Sequence, residues 1–523
     1  MSIEGWLIPI GWTKSFVPDV TQAERRRSAK LVSMDFQASP KTEFARMAVT
    51  VPETISPASR KGLFINRWNG WPNLVRLITG TGNEPGARDL RIGMIDASIV
   101  ALALVFPWST TATAALGFLI CLAIASTYSA QEMIAQLKRP ALALPAMLLA
   151  LAAVGAAWAH GIPWADRLHA FGKVSKFICL LPLFLHYQHT RRVKLVFTAY
   201  VVSNLLLLAL SFLVFLSPDI YSVVGAKAPG VPLKNYIDQT QAFAFIAVVF
   251  VALAVEAVRQ RQRGQAILFA ALSVVFFANL AFVNIARTAF IYLPAMLALV
   301  IIRYARGWYS LAIITAIAML AAGAWAMSPN LQVKIARLLG EVDAFQTNTM
   351  FVNGTETGGA ERLEFWRKSI GFIRSAPILG HGTGSTKELF ESEAAGQTGI
   401  MAKVVDNPHN QTLAVAIQWG IVGCLVLYAM WGAHLLLFRG AFSRQQCGVL
   451  AWIGLVAVAQ NIVSSLLNSH LFDFYQGWLY LFAVAIVGGQ LQRLQAPPRV
   501  DADRIAHEPS RRGNPRPAGS RPC

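Results

Sequence analysis

Apolar runs of about the length a bilayer demands recur along most of this chain, and no other feature narrows its possible folds as much. A helix needs roughly 20 apolar residues to cross a hydrocarbon core of about 30 Å. Such runs are read at 92–107, 110–128, 140–158, 170–188, 193–216, 238–258, 266–284, 288–303, 308–327, 411–437, 448–467 and 475–493. Pro107 marks a tight turn between the first two, because proline interrupts helix hydrogen bonding. Apolar residues make up 55% of the 523 and charged residues only 14%, against about 25% charged in soluble domains. Charge that sparse does not coat a soluble surface of this size, so lipid must be the solvent for much of the chain. The expected fold is all-α: a polytopic membrane protein with about twelve transmembrane helices and a large outer loop that itself contains helices.

The net charge of +19 does not point to nucleic acid, because no RNA- or DNA-binding motif accompanies it. Arg and Lys gather in the tails and in short gaps between apolar runs. Alternate gaps hold Lys138 and Arg139; Arg191, Arg192 and Lys194; Arg259, Arg261 and Arg263; Arg303 and Arg306; Arg439 and Arg444. In a twelve-span arrangement all of these fall on one side, which the positive-inside rule makes cytoplasmic. Residues 92–327 then carry helices one to nine, 328–410 form the outer loop, and 411–493 carry helices ten to twelve. Residues 1–91 read as a basic cytoplasmic tail, or as sequence upstream of a true start at Met47 or Met94. Residues 494–523 begin with Pro497 and Pro498 nearby and read as a disordered cytoplasmic tail. None of the five cysteines forms a C-x-x-C pair, so neither a disulfide framework nor a metal site is expected.

The stretch 328–410 is too polar to span and too long for a simple turn. Loops of that length are usually functional or disordered. Leu363, Trp366, Ile370 and Ile373 recur at helical spacing, which predicts an amphipathic helix over 361–375 that stops near Pro377.

Three features on the outer side carry candidate chemistry. The first is Asp406-Asn-Pro-His-Asn410, just before the apolar run at 411. Asn407 fits a helix N-cap and Pro408 the first helical position, which places His409 in the first turn. The positive helix end disfavours a protonated His there, and a neutral His can accept a proton. The plainer reading is an interfacial helix cap. The second is Arg287, between two spans with almost no loop, where a guanidinium fork suits phosphate oxygens. The alternative is snorkelling to lipid headgroups. The third is Arg362 on the loop helix, followed by Gly380-His-Gly-Thr-Gly384 and Lys387. Glycines let backbone N–H groups approach an anion, but a short run like this also suits a plain flexible loop. His381 reads as structural or exposed, and Arg362 has Glu361 and Glu364 as surface partners within reach. Lys173, Lys227 and Lys234 read as solvated outer cations. Asn461, Ser464, Ser465 and Asn468 form a polar stripe best suited to helix packing, with His470 and Asp473 just beyond it.

Those residues resemble a known family. The many spans, the late outer loop, Arg362-x-x-x-Trp366, Gly380-x-Gly-x-Gly384 and Asn407-Pro-His-Asn-x-x-Leu413, with Gly420 and Gly423 beyond, look like the O-antigen ligase and polymerase superfamily. The resemblance covers roughly 95–490; the first 90 residues depart from it. It implies a bacterial inner-membrane glycosyltransferase whose active site faces the periplasm. Its donor would be a glycan on undecaprenyl pyrophosphate and its acceptor lipid A–core, within membrane lipid, with no cofactor and no metal. It implies His409, Arg287 and Arg362 as catalytic residues. Lys387, Asn407, Asn410 and Trp366 are candidate substrate-binding residues beside them. A glycan polymerase or a protein O-oligosaccharyltransferase would use the same donor with another acceptor. A transporter of lipid-linked glycans is the competing class, but related halves and broken mid-span helices are not evident.

Overall fold

The structure, a computed structural model, describes residues 85–217, 219, 226, 228–233, 235–304, 308–346, 351–352, 355–356, 358–442 and 446–495. Most of the expected tails therefore lies outside the described residues, as do Lys227 and Lys234. Helices carry nearly all of what is described. In chain order they are α1 (Pro85–Val105), α2 (Thr110–Ala125), α3 (Ala130–Gln136), α4 (Pro140–Gly155), α5 (Trp164–Ser175), α6 (Leu180–Tyr187), α7 (Val193–Leu216), α8 (Tyr236–Arg259), α9 (Arg263–Ala278), α10 (Ala289–Tyr304), α11 (Trp308–Met327) and α12 (Pro329–Gln346). After a small β1–β2 ladder (Phe351–Val352 and Thr355–Glu356) come α13 (Gly358–Ser375), α14 (Ser385–Ala394), α15 (Gln411–Leu437), α16 (Gln446–Ser464), α17 (Phe474–Phe482) and α18 (Gly488–Gln495).

Each apolar run read from the sequence falls on a helix, because in lipid the backbone must satisfy its own hydrogen bonds. Crossing a bilayer is a stricter condition. Six helical stretches are long and apolar enough: Trp164–Tyr187, Val193–Leu216, Tyr236–Arg259, Arg263–Val283, Gln411–Phe442 and Phe474–Gln495. A seventh is added if α2 and α3, bent by 112°, count as one broken span. That bend follows from local capping: the Ser129 hydroxyl accepts from the Glu132 backbone N–H while the Glu132 carboxylate accepts from the Ser129 N–H, so a new helix starts. Four shorter apolar stretches are Pro140–Gly155, Ala289–Tyr304, Ile317–Met327 (the last part of α11) and Gly448–Ser464, and the first run lies on α1. Sixteen helical residues rise about 24 Å, short of the hydrocarbon thickness. Among the described residues six or seven stretches thus meet both conditions, and the expected twelve spans are not confirmed.

Of the 328–410 segment, the predicted helix is present as α13. The sequence pattern did not single out α12 or α14. The segment is held to the bundle by a break in α15. Trp419 and Gly420 leave helical geometry, Gly420 at φ 56° and ψ −152°. In a continuous helix the Ile417 and Gln418 carbonyls would accept from the Ile421 and Val422 N–H groups. Here the chain before α14 takes over all four. His381 N–H donates to Ile417 O at 2.9 Å, and Gly382 N–H to Gln418 O at 2.8 Å. Ile421 N–H donates to Pro377 O at 2.9 Å and Val422 N–H to Ile378 O at 3.3 Å. Leaving any one of them buried and unpaired would cost about 1–3 kcal/mol. The same segment reaches α4: Thr383 N–H donates to Gly155 O at 3.0 Å and its hydroxyl to Ala152 O at 2.6 Å. The Trp419 indole N–H closes the joint on the Thr383 hydroxyl at 2.9 Å.

Close approach explains the glycines. Gly380, Gly382 and Gly384 all have positive φ, and a Cβ on them would collide with the backbone of Gln418, Ala159 and Asp166 respectively. A Cβ on Gly420 would collide with the Ile378 carbonyl. Gly420→Ala should therefore lower the thermal unfolding midpoint of the detergent-purified protein, with a cost of about 2 kcal/mol or more. An unchanged midpoint would contradict this account of the joint.

Candidate functional site

α15 begins three residues later than the Asn-Pro pattern suggested. The N-cap is Asn410, whose Oδ1 accepts from Leu413 N–H at 3.1 Å while its Nδ2 donates to Leu466 O at 3.0 Å. Asn407 does not cap the helix. Its Oδ1 accepts from the His409 backbone N–H at 2.9 Å and from the Ser469 hydroxyl at 2.8 Å. Backbone hydrogen bonding overrides the proline preference because His409 takes a left-handed conformation, φ 55°, which ends any helix before it. That conformation is costly for a residue with a Cβ, about 1–2 kcal/mol, and such strain gathers at functional sites. His409 thus stands just outside the helix rather than in its first turn.

The side-chain network around His409 fixes which ring nitrogen carries the proton. The Asp473 carboxylate accepts from Asn468 Nδ2 at 2.9 Å and from His470 Nδ1 at 2.9 Å. An ionised carboxylate can only accept, so Asn468 must turn its amide nitrogen towards Asp473 and its Oδ1 towards His409. That oxygen lies 2.8 Å from His409 Nδ1 and also accepts from Asn407 Nδ2 at 3.2 Å. Asn407 is oriented independently, because the His409 backbone N–H it accepts from has no other role. Nδ1 of His409 is therefore the protonated nitrogen, and in the neutral ring Nε2 keeps a lone pair. Among the described residues no protein group bonds Nε2. Burial and then the Arg362 charge hold His409 below the usual histidine range, against the opposing pull of the Asn468 bond and of Asp473 and Asp406. The helix dipole is not needed to keep it neutral.

α13 forms the other wall. The Phe365 ring centroid lies 6.1 Å from that of His409, and the Trp366 indole N–H donates to Pro408 O at 3.0 Å. Trp366 is thereby committed to holding the 406–410 turn. Arg287 lies in the short break between the π-helical turn Asn279–Val283 and α10. Its Nη1 is 3.6 Å from where a Cβ on Gly358 would sit, at the start of α13. Arg362 is one helical turn further along, on the same face. The structure thus brings Arg287 and Arg362 to the first turns of one helix, with His409 against its next turn. Nearby, Glu364 takes Arg367 at 2.6 and 2.8 Å, and Glu361 takes Lys403.

Other candidates have structural duties. The backbone N–H groups of residues 381–384 are consumed by protein acceptors, that of Gly384 by Gln418 Oε1 at 3.0 Å, so this glycine run is a joint rather than an anion cradle. His381 Nε2 lies 2.8 Å from Phe372 O, a structural contact. Lys387 is exposed and faces Asp166 at 3.7 Å and Glu391 at 3.5 Å. Lys173 pairs with Asp406 at 2.6 Å. Asn461 and Ser464 bond backbone carbonyls within their own neighbourhood, as helix packing would require. Among the described residues no three His, Cys, Asp or Glu side chains gather closely enough to hold a metal ion. Asn468 and Asp473 are the members of this candidate site that sequence patterning undervalued. The clue was their position at the outer end of α16, level with His409 in a twelve-span reading.

The family model described as O-Antigen ligase matches residues 272–428. That stretch runs from α9 through Arg287, residues 328–410 and His409 to the first part of α15, and it ends before Asn468 and Asp473. No curated protein matches the chain.

Because the imidazole is held neutral, its reaction with diethyl pyrocarbonate should follow a titration midpoint below the ordinary histidine value of about 6.5. Peptide mass spectrometry across pH would measure it. A midpoint above that value would contradict the burial and Arg362 account.

Proposed function

We propose, from the premise that residues 272–428 are an O-antigen ligase family segment, that this chain is a membrane glycosyltransferase that moves a glycan from undecaprenyl pyrophosphate to lipid A–core. The observation that supports it best is the Asn468-anchored tautomer of His409, which leaves Nε2 as a base. A sugar hydroxyl is a weak nucleophile. His409 Nε2 would take its proton as the oxygen attacks the anomeric carbon. The bond from that carbon to the pyrophosphate oxygen would break on the opposite face, with inversion. The leaving pyrophosphate gains negative charge, and Arg287 and Arg362 would stabilise it where water is scarce. Trp366, Asn407 and Asn410 would act on substrate indirectly, by holding the turn that carries His409. Lys387 would contribute at most a peripheral charge.

The reading includes the topology. Twelve crossings, with the shorter apolar helices tilted or extended by their flanks, would put residues 328–410 on the periplasmic side of the inner membrane. Support comes from the one-sided basic gaps and from helices at each apolar run. A polymerase using a second lipid-linked glycan as acceptor would need the same base and arginines, so acceptor identity separates the two.

His409→Ala should abolish glycan capping of lipopolysaccharide in a ligase-null strain, a loss of about 10² to 10⁴ in rate, while membrane levels stay normal. Full complementation by that variant would sink the assignment. A ladder of lengthened lipid-linked glycan produced by the parent chain would move it to polymerase.

A further inference from the structure

Lys176 lies in the middle of an apolar stretch, in the 3-10 turn Lys176–Cys179 that follows α5. It is 7% exposed. A buried ammonium must satisfy three N–H donors and has no acceptor of its own. Lys176 Nζ meets that demand with three consecutive carbonyls: Leu471 O at 3.2 Å, Phe472 O at 3.0 Å and Asp473 O at 2.6 Å. The chain leaves room for it, because a Cβ on Gly477 would collide with Nζ. These carbonyls belong to the turn between α16 and α17. The same turn carries Asn468, His470 and the Asp473 carboxylate.

We infer that Lys176 is a positioning residue for proton transfer at His409: by clamping the carbonyls of residues 471–473 it fixes the Asp473 carboxylate, which orients Asn468, which holds the His409 tautomer. The inference rests on the reading of His409 as the base. Without the ammonium, three carbonyls on one short turn would lose their common partner and repel one another. The turn would then relax and Asp473 would leave its place. Asn468 would be free to flip its amide, and an amide nitrogen facing Nδ1 favours the tautomer with Nε2 protonated. That tautomer has no lone pair to receive the acceptor proton.

The charged and titratable groups facing His409 are Arg362 from α13, Asp406 from its own turn and Asp473 from the α16–α17 turn. His470 faces Asp473 rather than His409. The Asn468 bond and the two aspartates raise the proton affinity of His409, while burial and Arg362 lower it. Losing the Asn468 bond and the Asp473 charge removes two contributions that raise it, so with the ring still buried the acid limb of activity moves to lower pH.

The test is steady-state transfer by the purified full-length protein in nanodiscs, from undecaprenyl-pyrophosphate-linked glycan to rough lipopolysaccharide, between pH 5 and 9. Parent, Lys176→Met, Lys176→Arg and Asp473→Asn are compared, each with its unfolding midpoint. For Lys176→Met we expect kcat to fall by about tenfold or more, an acid limb at lower pH and an unchanged KM for the donor. Lys176→Arg, which restores donors, should recover part of the rate. Asp473→Asn, which keeps the carbonyl clamp, should show the same shift of the acid limb. A folded Lys176→Met with parental kcat and pH profile would overturn the inference and leave His409 as base. If Lys176→Met proves unstable, Asp473→Asn decides, and a parental profile there overturns it. A parent that transfers nothing would overturn the His409 reading beneath it.

Discussion

A helix broken inside a membrane protein leaves backbone groups that lipid cannot satisfy, and this constraint organises the part of the molecule that holds His409. The break at Trp419 and Gly420 frees two carbonyls and two N–H groups. The segment from Pro377 to Gly382 answers each of them. Because those bonds are directional, they fix the end of α13 and the start of α14 against α15, and Thr383 ties the same joint to α4. The joint, together with the Trp366–Pro408 bond and the Phe365–His409 contact, holds α13 beside the 406–410 turn. The glycines make the contact possible by lacking a Cβ at points where backbones touch. A flexible-loop reading of that run misses this role, as does an anion-binding one.

From that fixed frame the chemistry of His409 follows by elimination of freedom. Its backbone is held in a strained left-handed state by Asn407, its ring is flanked by Phe365, and its Nδ1 is occupied by Asn468. Orientation runs inward from groups that can act in one sense only: a carboxylate that accepts and a backbone N–H that donates. A base held this way needs no rearrangement when substrate arrives, which is where preorganised sites gain most of their advantage. The acidic neighbours do not protonate it, because burial and Arg362 outweigh them. Two arginines near the first turns of α13 would complete the proposed site, with the base at one end and phosphate-matching charge at the other.

Much of this was legible from residue order, and the limits are instructive. Apolar runs located the helices because their length and composition respond to the bilayer itself; 193–216, 308–327 and 411–437 coincide with α7, α11 and α15. His409, Arg287 and Arg362 stood out because ionisable groups are scarce at the outer ends of spans. The cap was misplaced by three residues, since Asn407 and Asn410 are equivalent in type and only the fold says which of them faces the free N–H of Leu413. Lys176 and the Asn468–Asp473 turn are about 300 residues apart in sequence, and nothing local announces their contact. Long-range polar pairing of this kind is set by packing, which periodicity does not encode. Span count is less direct: composition finds apolar helices, but 16-residue helices such as α4 and α10 fall short of a straight crossing, so six or seven stretches pass both rules among the described residues.

The central claim is that one neutral histidine on the outer side drives glycan transfer from a polyprenyl pyrophosphate to a lipid acceptor. The most direct measurement uses purified protein, undecaprenyl-pyrophosphate-linked glycan and rough lipopolysaccharide, with no nucleotide sugar and no added metal. The account predicts capped lipopolysaccharide together with released undecaprenyl pyrophosphate in equal amounts, and neither from His409→Ala. Capped product formed equally well by both proteins would contradict it.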